Sequence, residues 1–184
     1  MGKKESADVT LNAYLGLGTN LGDRKENLKA AVRLLTDCDE VELCGAASIY
    51  ETSPVGGPPG QSDYLNTVIA VDSRLDVRTL LNHILSVERS MGRVRNEVNG
   101  PRNIDIDLLL SGGDVIDTPS LSVPHPRMHV RRFVLEPLAE LAPDLRHPLI
   151  DKTIQELLYE LPKEEEFVRQ VASAGWQSET TAGQ

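Results

Sequence analysis

Two aspartates, Asp105 and Asp107, carry the most pointed chemistry in this chain. They lie in Ile104-Asp105-Ile106-Asp107-Leu108-Leu109-Leu110, which alternates apolar and acidic before turning wholly apolar. In a β-strand, residues i and i+2 share a face and lie about 6.5–7 Å apart. Both carboxylates then point one way, and Ile104, Ile106 and Leu108 the other. Adjacent carboxylates repel unless a cation or protons lie between them. Their hard oxygens suit Mg²⁺ completed by water and phosphate oxygens, and a pair of such ions could bridge a triphosphate. An isolated Asp-x-Asp is also the ordinary pattern of a solvated strand face.

The surroundings favour phosphate chemistry. Arg93 and Arg95 follow Gly92, and Arg102 lies three residues before Asp105. Guanidinium groups are always charged and grip phosphate with a planar fork. A transferring phosphoryl group needs such stabilisation, although these arginines could instead pair with acidic surface. Glu88 sits within the apolar stripe of the preceding helix, where a carboxylate is costly unless paired or wet. It is expected to reach into the polar site. Gly16-Leu17-Gly18-Thr19-Asn20-Leu21-Gly22 matches neither a dinucleotide fingerprint nor a P-loop. It reads as a tight strand-to-helix turn or as a loop bordering substrate, with Asn20 as a polar contact.

The elements that must position these groups alternate along the chain. Strands are expected over Ala13 to Leu17, Val41 to Tyr50, Tyr64 to Val71 and Ile104 to Leu110, with a short one at Val115 and Ile116. Asp23 caps a helix whose apolar face is Leu28, Ala31, Val32 and Leu35, with Glu26 as its capping-box partner. Asp76 caps a second helix, which Gly92 ends and which turns Val77, Leu80, Leu81, Ile84 and Met91 inward. Thr52 to Asp63, rich in proline and glycine, is a loop. Phe133 to Leu141, interrupted near Pro137, and Thr153 to Leu161 are helical. The pattern is α+β. One domain is expected over residues 11–161, with flexible, polar segments at 1–10 and 162–184.

Composition narrows the function classes. The chain has 184 residues and a formal net charge of -9. A general nucleic-acid binder would need a basic surface. No apolar run approaches the roughly 20 residues needed to span a bilayer, and Met1 to Glu5 lacks the apolar core of a signal peptide. Cys38 and Cys44 form neither a zinc pattern nor a disulfide framework, which fits a reduced, cytoplasmic setting.

At this point the residues resemble a known family. Gly100-Pro101-Arg102-Asn103-Ile104-Asp105-Ile106-Asp107-Leu108 looks like the hallmark of 6-hydroxymethyl-7,8-dihydropterin pyrophosphokinases. The resemblance extends through Gly18 to Gly22, Asp63-Tyr64-Leu65-Asn66, Gly92-Arg93-Val94-Arg95 and Val123-Pro124-His125-Pro126. It ends in Arg131-Arg132-Phe133-Val134-Leu135 and Pro137-Leu138. It implies a ferredoxin-like antiparallel sheet with helices on both faces, acting as a monomer. It implies transfer of the β,γ-diphosphate of ATP to the pterin hydroxymethyl group, leaving AMP, in folate biosynthesis.

Carried over by position, the resemblance implies that Asp105 and Asp107 hold two Mg²⁺ ions. Arg93 and Arg102 would position the triphosphate and stabilise the transition state, with Arg95 assisting, while Glu88, from its place on the helix, is expected at the ATP side of the site. Tyr64 and Phe133 would sandwich the pterin, Asn66 would read its amide-like edge, and Thr52, Ser53 and Val55 would complete that recognition. His125, Leu121 and Ser122 would contact ATP. The sequence departs from the family where Val98 and Asn99 replace a basic residue and a Trp, and where Pro126 replaces an aromatic. Two rivals are a metal-dependent nucleotidyltransferase using the same Asp pair and a non-catalytic ferredoxin-like binding module.

Overall fold

The sheet is organised around one strand that its neighbours flank on both edges. In the computed structural model, which describes residues 11–54, 58–92, 100–162 and 168–178, β1 (Leu11–Thr19) pairs antiparallel with both β4 (Tyr64–Ser73) and β5 (Asp105–Ser111). β2 (Val41–Ala46) and β3 (Ile49–Thr52) both pair with β4, and β8 (Val168–Ala172) pairs with β3. The order is β5-β1-β4-β3-β8. Helix α1 (Arg24–Leu35) joins β1 to β2 across the inserted β4, and α2 (Val77–Ser90) joins β4 to β5 across the inserted β1. Two interleaved split β-α-β units make the expected ferredoxin-like core. A separate hairpin, β6 (Ile116–Thr118) and β7 (Leu121–Val123), follows β5.

Each face of the sheet has its own core. On one side, Leu15, Leu17, Ile69 and Ile106 pack with Leu28 and Leu35 of α1 and Leu80 and Ile84 of α2. On the other, Val68, Leu109 and Leu110 pack with Val134 and Leu138 of α3 (Arg132–Leu141) and Leu157 of α4 (Ile154–Glu160). A register shift at Tyr14/Leu15 lets Leu109 and Leu110 both join the second core. That bulge explains why the acidic alternation of β5 gives way to a wholly apolar run.

Several local expectations need correction. Asp23 caps α1 by accepting from Glu26 N at 3.0 Å, but the Glu26 carboxylate turns to Arg33 instead of closing the box. The full capping box lies at Thr153 and Glu156 of α4. Val41 to Tyr50 is two strands, broken at Ala47 and Ser48. Side chains claim the backbone there: Ala47 O accepts from Thr67 Oγ1 and Trp176 Nε1, and Ser48 N donates to Glu140. Helix α3 runs unbroken through Pro137, because burying Val134, Leu135 and Leu138, at about 1.5–3 kcal/mol each, outweighs a proline cost of about 3 kcal/mol. The polar segment after 162 is not a mere tail over 168–178: it supplies β8 and the fully buried Trp176. No helix among the described residues is long and apolar enough to cross a membrane.

Candidate active site

Strand register brings the site together. Asp105 lies opposite Gly18 of β1, and Gly18 lies opposite Asn66 of β4. One step along, Asp107 lies opposite Gly16, which lies opposite Val68. Directly opposed residues share a face, so both carboxylates, Asn66 and Tyr64 look toward the α3 and α4 side. Gly16 and Gly18 add no side chains of their own to this central strand, so Leu109 packs over Gly16 and the Asn66 amide leans over Gly18. With strands about 4.8 Å apart, the acidic strand and the Asn66 strand are separated by roughly 10 Å.

The acidic wall is dressed with cations. Arg102 Nη1 lies 2.6 Å from Asp105 Oδ2. Asp107 Oδ2 lies 3.8 Å from His125 Nε2 and 3.8 Å from Arg131 Nη1. The backbone N–H of His125 donates to Leu109 O at 2.8 Å, and its Nδ1 accepts from Arg127 N at 3.2 Å. That leaves Nε2 aimed at Asp107. Burial pushes the His125 pKa below its ordinary value, and the charges of Arg131 and Arg127 push the same way against the pull of Asp107 and Asp105. Arg131 also lies over the Phe133 ring, 5.4 Å from its centroid, a cation–π arrangement.

Across these glycines, Asn66 Nδ2 donates to Thr52 Oγ1 at 2.7 Å, and both residues are buried. The Tyr64 hydroxyl donates to Gly100 O at 3.3 Å, which ties this wall to the segment leading into Arg102. Asn20 braces the same segment: its Oδ1 accepts from Arg102 N at 2.9 Å, and its Nδ2 reaches Gln61 and Ser62 O. Asn20 is only 3% exposed and serves as a strut of the glycine loop.

The structure thus brings together Asp105, Asp107, Arg102 and His125 on one wall and Thr52, Tyr64 and Asn66 on the other. Phe133 lies beneath Arg131, and Ser53 is exposed just past β3. Arg93, Arg95 and Val55 lie outside the described residues, as do Val98 and Asn99. Two expected ATP contacts are placed differently. Glu88 is 2% exposed and accepts from Ile106 N at 2.7 Å, bracing the backbone between the two aspartates. The Leu121 side chain lies in the core, and its N–H and C=O both bond to Thr118 Oγ1. Ser122 Oγ donates to Asp117 at 3.2 Å. Sequence reasoning gave no role to Arg131, whose signal was a pair of arginines just before the aromatic Phe133.

The donor set fits a hard divalent cation. Asp105 and Asp107 offer oxygens on one face of a braced strand, with side chains 24% and 37% exposed, so water and a phosphate could complete a coordination shell. The arginines alongside suit the phosphate itself.

The profile of 7,8-dihydro-6-hydroxymethylpterin-pyrophosphokinase (HPPK) matches residues 14–143. A 2-amino-4-hydroxy-6-hydroxymethyldihydropteridine pyrophosphokinase from Pseudomonas aeruginosa is 42% identical over 135 residues, covering 73% of this chain and 83% of that protein. Its namesake from Bacillus subtilis is 43% identical over 129 residues, covering 70% and 77%. Among solved structures, a wild-type Plasmodium falciparum HPPK-DHPS with pteroate superposes with a TM-score of 0.66 at 15% identity, over 83% of this chain and 44% of that one. That likeness supports the fold. The profile runs through both walls of the site and well over half of the sequence, and the chain belongs to the 7,8-dihydro-6-hydroxymethylpterin-pyrophosphokinase family.

Proposed function

We infer that this chain transfers the β,γ-diphosphate of ATP to 6-hydroxymethyl-7,8-dihydropterin, giving AMP and the pterin diphosphate, a step of folate biosynthesis. The observation that carries this reading is the row Asp105–Gly18–Asn66, with a phosphate-handling wall and a ring-reading wall on either side of one glycine position.

The roles divide between the walls. Asp105 and Asp107 would hold Mg²⁺, two ions being expected. Bound there, the metal supplies charge neutralisation and polarises the phosphate oxygens. Arg102 and Arg131 approach the same carboxylates, so they would grip an ATP held between them, with Arg93 and Arg95 assisting. His125, favoured neutral, offers an N–H on Nε2 to a phosphate oxygen without adding charge. Asn66 presents an amide to the pterin edge, and Tyr64 and Phe133 offer flat faces. Thr52 fixes the orientation of Asn66, and Ser53 with Val55 would extend the recognition. The pterin hydroxyl would then lie in line with the β-phosphorus, and positioning plus charge stabilisation would supply the rate. Its two free cysteines suit a reduced cytoplasm, and a monomer completes the reading.

The test is product analysis. Purified chain with ATP, Mg²⁺ and the hydroxymethyl-dihydropterin should give AMP and a diphosphorylated pterin, and chelation of the metal should stop the reaction. Release of pyrophosphate with a nucleotidylated pterin would establish the nucleotidyltransferase rival instead. No turnover with metal present would leave only a binding module.

A further inference from the structure

Residues 53–63 join β3 to β4, and both ends of this link carry the groups assigned above to the pterin. Thr52 closes β3, while Tyr64 and Asn66 open β4. A charged assembly lies on the opposite face of the same strands. The Glu51 side chain, 14% exposed, accepts Arg24 Nη2 on Oε1 at 3.0 Å and Arg169 of β8 on Oε2. The same Arg24 guanidinium donates through Nη1 to Asp63 O at 2.7 Å. One planar fork thus bridges residue 51 to residue 63, each one position before a pterin-wall residue. Arg169, Arg24 and the Glu51 carboxylate hold together firmly enough to keep the Glu51 pKa below its ordinary value, despite an opposing effect of burial.

We propose that Arg24, acting through Glu51 and the Asp63 carbonyl, is a positioning residue that sets the spacing of Thr52 against Tyr64 and Asn66 in the pterin wall. The inference rests on the assignment of those three residues to the pterin. Alternation along β3 puts Glu51 on the face opposite Thr52, so neither Glu51 nor Arg24 meets the substrate side. Beyond this bridge, the β3–β4 ladder spans only Tyr50 to Thr52 against Asn66 to Tyr64. Arg24 is the first residue of α1, behind the Asp23 cap, so its backbone anchor is rigid. Lysine, a point donor without the fork, cannot engage both partners with the same geometry.

The experiment is steady-state kinetics of the full chain for Arg24→Ala, Arg24→Lys, Glu51→Gln and, in parallel, Asn66→Ala. Arg24→Ala and Glu51→Gln should each raise the pterin KM about tenfold through misplacement of the wall. The ATP KM should stay within about twofold, since the phosphate wall lies two strands away. Arg24→Lys should fall between wild type and Arg24→Ala. A raised pterin KM in Asn66→Ala beside an unchanged one in Arg24→Ala and Glu51→Gln overturns the inference alone. Equal rises in both KM values also overturn it, because they signal general loosening. An unchanged pterin KM in Asn66→Ala overturns the pterin-wall assignment and the inference with it.

Discussion

Gly18 and Asn66 face each other across β1 and β4, and a Cβ placed on Gly18 would lie 2.9 Å from Asn66 Oδ1. The amide end must therefore move if Gly18 gains a methyl group. It cannot move freely, because Nδ2 is held by Thr52 Oγ1. Gly18→Ala is expected to cost about 1–3 kcal/mol of stability by overpacking and to weaken pterin binding. The atoms nearest a methyl group in Gly16→Ala are Leu109 carbons, at 3.4–3.6 Å, and the change should be milder on both counts. Denaturant melts and pterin titration by fluorescence measure the two effects, and equal behaviour of the two variants would contradict the geometry.

Asp107→Ala should reduce turnover by at least about 10²-fold, the scale of losing one charge-stabilising group. The fold should survive, since Asp107 is partly exposed and its pairs with His125 and Arg131 are long. Metal binding gives a readout independent of turnover. With a non-hydrolysable ATP analogue, Mg²⁺ should raise the Tm of wild type through ligand linkage and that of Asp107→Ala far less. A full metal response in the variant would remove Asp107 from the metal site.

His147 makes stability depend on pH. It is 3% exposed, its Nδ1 accepts from Leu149 N at 3.3 Å, and its buried Nε2 has no hydrogen-bond partner among the described residues. Its ring meets His129 edge-on at 5.8 Å. Burial first, and the His129 charge second, lower its pKa from the ordinary value. The unfolded chain therefore takes up the proton first as pH falls, so stability is lost from about pH 6.5 downward until the folded pKa is passed. His147→Asn keeps an acceptor for Leu149 N and removes the titration. Its Tm should fall less steeply between about pH 7 and pH 5 than that of wild type, and parallel slopes would assign the loss to other groups.

Trp176 is 1% exposed, packs into the α1 side of the core and donates Nε1–H to Ala47 O at 2.8 Å. Trp176→Ala should cost about 3–5 kcal/mol. A chain ending at residue 162 would also expose the edge of β3. Both should melt earlier than wild type by calorimetry, and a truncated chain with wild-type Tm would return 168–178 to the status of a tail.

The site was legible where one element sufficed. The shared face of Asp105 and Asp107 followed from a two-residue period, and the buried face of α1 from a helical one. The part played by Gly16 and Gly18 was not legible, because it depends on which strand lies beside β1, a long-range fact. Glu88 was correctly marked as out of place on an apolar face, yet its partner is the Ile106 amide of a strand 18 residues on, which no local pattern names. The polar composition after 162 masked β8, which pairs with β3 through backbone groups and through polar side chains, Arg169 to Glu51 and Gln170 to Ser48, rather than through an apolar run. Pro137 misled in the other direction: a local breaker lost to burial of its neighbours.

The bracing of β5 has a bearing on self-association. This strand lies at one end of the sheet order, where unpaired backbone groups normally invite a strand from another molecule. Here the Ile106 amide is taken by Glu88 and the Leu109 carbonyl by the His125 amide. The acidic strand is therefore engaged at two points of its outer edge by its own chain. Variants that loosen either brace should be screened for aggregation, because they would uncover a template for intermolecular β-pairing.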